Sequence, residues 1–368
     1  GVLLAVKFAP AIIAKPYTTW LVGRFGTRKF FVIGQSLMVI LNLSLAGALQ
    51  LGAPAYLTLL LFSGCMGVVG SMLHVLVPVM MKSYLPSATM AGSLSKAAVA
   101  NGLASVFGAL FATFLLAQLA PAAAFVVNGV LTIPYILFLL FNRPQEPIES
   151  PTNVHRTWRT LLTTLKTNRR VLRASILAAG ALALIGPLNS MVVPLTQDLG
   201  IALTSNAGYL LAVLAAGQML SPFSVRWLSR RFSALYGGAC AIAIAGSMLA
   251  FFGIIVWLVK PEWLMFTGIV VAALVFGSMR IAGGNLILSE VSTSTRENET
   301  TQGNITAFAF LDTFAAPIGP LIWGIFIDGF GAASTLVLLG VLTLIFVSVH
   351  VSSDRRAHVD SAPLITRP

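Results

Sequence analysis

The sequence predicts an all-α polytopic membrane protein made of two pseudo-repeated helical halves, and three observations carry that expectation. Of the 368 residues, 57% are hydrophobic and 9% are charged, and the mean hydropathy is +0.90. A soluble domain carries about 25% charged residues. Several apolar runs reach the ~20 residues that cross a bilayer as a helix, and residues 97–142 hold no charge at all, enough for two crossings. The basic residues, finally, gather in short breaks between those runs. A transmembrane barrel would instead show ~10-residue segments of alternating polarity.

Taken in order, the apolar runs give spans at 1–22, 30–50, 55–81, 97–118, 122–142, 171–194, 205–225, 234–258, 263–289, 304–327 and 332–351. Turn chemistry separates most of them: Gly52-Ala53-Pro54, Ala120-Pro121, Pro261 and Gly329-Phe330-Gly331. With segment 23–29 placed in the cytoplasm and the spans alternating, 19 of the 23 Lys and Arg residues fall on that side. Only Lys260 falls outside, while Lys7, Lys15 and Arg280 lie within spans. That asymmetry is the positive-inside signature of a multi-pass inner-membrane protein, and it accounts for the net charge of +12 without any nucleic-acid partner.

The segment 143–170 is the one long polar stretch between spans. It divides the chain into an N-terminal transmembrane half at 1–142, a cytoplasmic central loop, a C-terminal half at 171–353 and a cytoplasmic tail at 354–368. An internal repeat relates the halves. Trp20-Leu21-Val22-Gly23-Arg24-Phe25-Gly26 aligns without gaps to Trp227-Leu228-Ser229-Arg230-Arg231-Phe232-Ser233, with four of seven positions identical. The second copy follows the second span of its half, and the first copy follows the first span present. Five plus six spans of an expected six plus six is the resulting expectation, with the first helix of the N-terminal half lacking. Parallel repeats of this kind characterise secondary transporters.

On these residues the chain resembles the major facilitator superfamily, whose signature loop runs G-x-x-x-D-R/K-x-G-R/K-R/K. Thr19 stands at the first glycine and Gly23 at the acid, while Arg24, Gly26, Arg28 and Lys29 match in kind. Gly319-Pro320-Leu321-Ile322-Trp323-Gly324, followed by Asp328-Gly329-Phe330-Gly331, is similar to the eleventh helix of bacterial exporters in the superfamily. Val193-Pro194-Leu195, Asp198 and Ala207-Gly208-Tyr209-Leu210 are similar to the enterobactin-exporter and macrolide-efflux branch. The exporters' glycine/proline motif in the fifth helix is reduced to Gly102 and Gly108. The resemblance implies rocker-switch alternating access and proton antiport. It implies a cavity lined by the fold's first, fourth, seventh and tenth helices, with the second and eleventh packed across the halves. It also implies that the loop's basic residues anchor at the anionic inner leaflet. The acid that latches the family loop is absent at Gly23.

No phosphate loop, nucleophile motif or metal-ligand spacing is present, so neither an enzyme nor a cofactor is expected, and Cys65 and Cys240 read as small hydrophobes. Chemistry should lie with ionisable groups inside spans. At ~1.5 Å per residue, Lys15, Arg280, Asp312 and His74 fall roughly 10–15 Å into the cytoplasmic half. His74 and Arg280 would border the cavity, and Lys15 and Asp312 would meet at the seam. Asp312 should pair with Lys15 or Arg280, either as a proton-coupling pair or as a permanent bridge. Histidine titrates near neutral pH, which suits His74 to a relay. Lys7 is read as snorkelling to the outer surface. Asn101, Asn128, Asn189 and Asn285 are candidate cavity polar groups or interhelical glue.

The expected protein is therefore a monomeric, proton-coupled exporter of a small amphipathic or anionic compound, drug- or siderophore-like, in the bacterial inner membrane. Its partners are the substrate, protons and lipid. An importer of a small anionic metabolite is the alternative, and a non-transporting sensor or assembly protein on the same fold is another.

Overall fold

In a computed structural model, the structure describes residues 2–84, 97, 99–108, 111, 114–115, 121–142, 158–192, 207–259, 262–294 and 301–360. These fold into helices, with no strand among the described residues. The N-terminal set is α1 (Val2–Phe25), α2 (Thr27–Gln50), α3 (Ala55–Tyr84), α4 (Val99–Gly108) and α5 (Pro121–Phe141). The C-terminal set begins with α6 (Trp158–Thr167) and α7 (Arg169–Ile185). It continues with α8 (Ala207–Met219), α9 (Ser221–Ser229), α10 (Ala234–Leu258), α11 (Glu262–Thr293), α12 (Thr301–Phe330) and α13 (Ala332–Asp360). Nine helices among the described residues are long and apolar enough to cross a membrane. The chain is an all-α, polytopic membrane protein.

Two spans read as continuous in the sequence are broken. The span 171–194 turns at Gly186-Pro187 and resumes as helix over 188–192. The span 205–225 breaks at Leu220, and Pro222 sits in the first turn of α9, where a missing N–H costs nothing. Within the segment read as a loop, α6 is a short amphipathic helix that seats the buried Leu165 against α7 and α12 while Lys166 faces out.

Packing follows the means available in lipid, where close backbone approach and polar contacts substitute for the hydrophobic effect. In the N-terminal set, α3 lies on α1, and α2 lies on α3 and α5. A Cβ at Gly67 of α3 would land on the Lys7 carbonyl of α1, so this crossing admits only glycine. Between α2 and α5, Asn128 Nδ2 donates to Asn42 Oδ1 at 3.0 Å, and Asn42 Nδ2 donates to the Met38 carbonyl at 2.8 Å. In the C-terminal set, α10 lies on α11 and α13, α8 on α11, and α7 on α12. Trp323, fully buried, donates its indole N–H to the Leu184 carbonyl at 2.9 Å and so joins α12 to α7. Asn168 caps α7 by accepting from the Val171 N–H at 3.2 Å. The same side chain donates to the Ser294 carbonyl at 2.9 Å, tying the start of α7 to the end of α11.

Among the described residues the sets meet along two seams. One is α1 against α12, with α3 also touching α12. The other is α4 against α8, where a Cβ at Gly102 would strike Met219 and stand 3.1 Å from the Ala215 carbonyl oxygen.

Candidate functional site

The α1–α2 joint is a single residue. Gly26 takes φ 78°, a left-handed conformation that only glycine adopts readily, with its N–H on the Val22 carbonyl at 2.8 Å. Its own carbonyl accepts the first bond of α2, from the Phe30 N–H at 3.0 Å. The aligned Ser233 does the same for α10, its carbonyl accepting from the Gly237 N–H at 2.7 Å. The repeat extends to side chains: the Arg24 guanidinium lies 5.8 Å from the Trp20 ring, and that of Arg231 lies 5.1 Å from the Trp227 ring.

Of the joint's basic residues, Arg24 and Lys29 are exposed, and Arg28 has a protein partner. Arg28 Nε and Nη2 both donate to the Leu139 carbonyl, at 2.9 and 2.6 Å, and Nη2 also reaches the Leu140 carbonyl at 2.9 Å. These are the unsatisfied C-terminal carbonyls of α5, where a cation also meets the negative end of the helix dipole. Arg28 therefore clamps α2 to α5 rather than reaching for lipid. Replacing it with alanine is expected to lower stability by about 1.5–3 kcal/mol, the range for hydrogen bonds to charged groups. Lys29→Ala should change the melting temperature little, and thermal unfolding of the purified protein checks both. Thr19, Gly23 and Lys15 lie on α1, and their side chains are outside the described residues.

Between the two sets lies a cavity of about 460 Å3, within the range of small-molecule sites. Its N-terminal wall comes from α1, α2 and α3, through Lys7, Phe8, Met38, Phe62, Met66 and His74. Its other wall comes from Leu182 of α7 and from Asp312, Thr313 and Ala316 of α12. The lining is thus apolar and sulfur-rich, with three ionisable groups set into it. Gly67 lets α1 approach α3 closely, and Gly70 beside it faces Met38 of α2. Thr313 turns its hydroxyl back to the Ala309 carbonyl at 2.7 Å.

Asp312 of α12 and Arg280 of α11 are both half-buried, and the charge of Asp312 acts on Arg280. The structure thus brings together Asp312 and Arg280 electrostatically, and Asp312 and His74 around one cavity. Lys7, read from the sequence as an outward snorkel, is exposed and also borders that cavity, its ammonium 5.7 Å from the Phe8 ring. None of the four candidate asparagines is among the cavity's described lining. Asn128 serves the α2–α5 contact, and Asn101 is exposed on α4. Asn285 is half-buried on α11, and Asn189 holds an enclosed Oδ1 with no hydrogen-bond partner among the described residues.

A helical bundle of two sets facing across a small, mixed-polarity cavity is the build of a membrane transporter. The sequence profile of the Major Facilitator Superfamily matches residues 1–311, and the chain belongs to that superfamily. Its members are transporters rather than enzymes, which assigns the chain a small-molecule substrate and a bilayer setting. Among solved structures it is similar to a variant of the E. coli fucose:proton symporter FucP. That likeness has 12% identity, 95% of this chain, 90% of that chain and a TM-score of 0.62, and it shows the shared fold. No curated protein matches the sequence.

Proposed function

We propose that the chain is a proton-coupled secondary transporter that exports a small amphipathic or anionic compound across the bacterial inner membrane by alternating access. The observation that supports this most is the cavity between the two helical sets, where an apolar lining meets Lys7, His74 and Asp312. The lysine supplies a counter-charge for an anionic headgroup, and the aromatic and methionine side chains supply an adaptable apolar wall. Asp312, set opposite Arg280, is the group that exchanges the proton, and His74 stands on the same cavity to relay it. Lys15 lies on the same seam helix as Lys7. The N-terminal half (1–142) and C-terminal half (171–353) rock about this site, with the central loop, C-terminal tail and basic ends of the helices in the cytoplasm. The protein works as a monomer.

The test is flux in proteoliposomes holding the full chain, with an imposed pH gradient and a panel of amphipathic weak acids. Export predicts that proton entry drives substrate in the opposite direction. Co-directional movement would mean import, and no flux from any member of the panel would favour a sensor. Lys7→Glu should cut flux of anionic panel members by about tenfold or more, the effect of one reversed contact of ~1.4 kcal/mol. It should spare neutral members, and equal loss for both would remove Lys7 from charge recognition.

A further inference from the structure

A second cavity, of about 430 Å3, opens between α10 and α13 at the end of the bundle that carries Arg226, Arg230 and Arg231. We propose that it is a binding site for an anionic phospholipid, with the phosphate on Arg231 and the first methylenes of the acyl chains along the groove floor.

Three features of the groove point to that occupant. The first is a cation in a favoured place. Arg231 lies over the Trp227 ring at 5.1 Å, a cation–π contact that favours one position of the guanidinium. Its in-plane N–H groups stay available for a phosphate, which they match in fork geometry. The second is the graded lining. Ser233 and Tyr236 stand beside Arg231 at the mouth, and Cys240, Val347 and Val351 make the apolar floor. Ser233 begins α10 without spending its hydroxyl on a cap bond, and no carboxylate is among the described lining residues. A polar, cationic rim above an apolar floor is the profile of a lipid at the membrane boundary, where tryptophan and tyrosine also concentrate. A water-soluble anion would have no use for the floor. The third is position: α10 and α13 both qualify as membrane spans, and the groove begins at the end of each. The matching stack in the first repeat, Arg24 on Trp20, borders neither this groove nor the central cavity. The repeat therefore supplies its own control, and the inference stands apart from any choice of substrate or direction of transport.

The experiment uses the full chain purified in detergent, with native mass spectrometry after addition of dioleoylphosphatidylglycerol or dioleoylphosphatidylcholine. Phosphatidylglycerol adducts should exceed phosphatidylcholine adducts. Arg231→Gln should reduce the phosphatidylglycerol adduct about tenfold, the loss of one charge-assisted contact, while Arg24→Gln leaves it unchanged. A second reading keeps the native loop intact. In a Cys65→Ser background, phosphatidylglycerol should slow modification of the half-buried Cys240 by N-ethylmaleimide, and phosphatidylcholine or inorganic phosphate should not. Equal adducts of the two lipids, undiminished binding by Arg231→Gln, or an equal loss from Arg24→Gln would each overturn the proposal. So would protection by phosphate alone, which would mark an anion site without a lipid.

Discussion

Asp312→Ala is expected to destabilise the protein by about 3 kcal/mol, the low end for a broken buried pair, because it leaves the half-buried Arg280 without the opposing charge that acts on it. The penalty is that of an uncompensated half-buried cation, larger than the favourable worth of the pair itself. A second substitution separates structure from coupling. In an Arg280→Met, Asp312→Ala double variant neither charge remains, so melting should return to within about 1–2 kcal/mol of the parent protein. On the proposed coupling, transport driven by a pH gradient should not return with it, since the carboxylate proposed to exchange the proton is gone. Asp312→Asn, which keeps the shape and removes the charge, should likewise uncouple flux from the gradient. Coupled transport that survives in Asp312→Asn would make the pair a permanent bridge and move proton coupling elsewhere.

The second large effect is expected at Gly102. A Cβ there would collide with Met219 and crowd the α8 backbone, whose Ala215 oxygen and Met219 nitrogen both stand 3.1 Å away. Gly102→Leu must therefore push α4 off α8 along one of the two seams between the helical sets. Among the described residues Gly102, Ala215 and Met219 belong to neither core cluster, although Leu214 on the same helix α8 is part of the C-terminal one. The variant should therefore fold, elute as the parent does on size exclusion, and lose at least about tenfold in flux, since the proposed rocking needs both seams to close. Gly108→Leu, where an added Cβ meets nothing within 4 Å, should retain flux and serves as the matched control.

The architecture was legible from the sequence because lipid imposes length and polarity on every crossing helix. The reading of 234–258 coincides with α10, and 55–81 and 332–351 fall short of α3 and α13 only where polar residues extend the helix past the apolar run. The breaks at Gly186-Pro187 and Leu220 carry local signals, a Gly-Pro pair and Pro222, but the apolar runs continue on both sides, so hydropathy alone reads each span as continuous. Helix α6 was hidden for the opposite reason: ten residues with two charges look like loop until Leu165 finds α7 and α12.

The site divides along the same line. Depth placed Asp312 and His74 at one level, and the cavity holds both. Depth alone did not tie Lys7 to the cavity, though a lateral signal was present. Lys7, Ala11, Ala14, Thr18 and Val22 recur at intervals of three and four, and the last four form the buried stripe of α1. Lys7 heads that stripe and borders the cavity while its side chain stays exposed. Arg28 carried no such signal. Its partners are backbone carbonyls of Leu139 and Leu140, and no pattern of side chains announces them.

The duplicated joint has a practical consequence for measuring motion. Lys29 follows the Gly26 turn, and Arg230 precedes Ser233 in the matching copy; both side chains are exposed. The pair forms a ready set of spin-label positions, one on each helical set at the same end of the bundle. Each anchor is only a few backbone bonds from a rigid helix start, so a change in label separation reports displacement of the helices themselves rather than wagging of a loop.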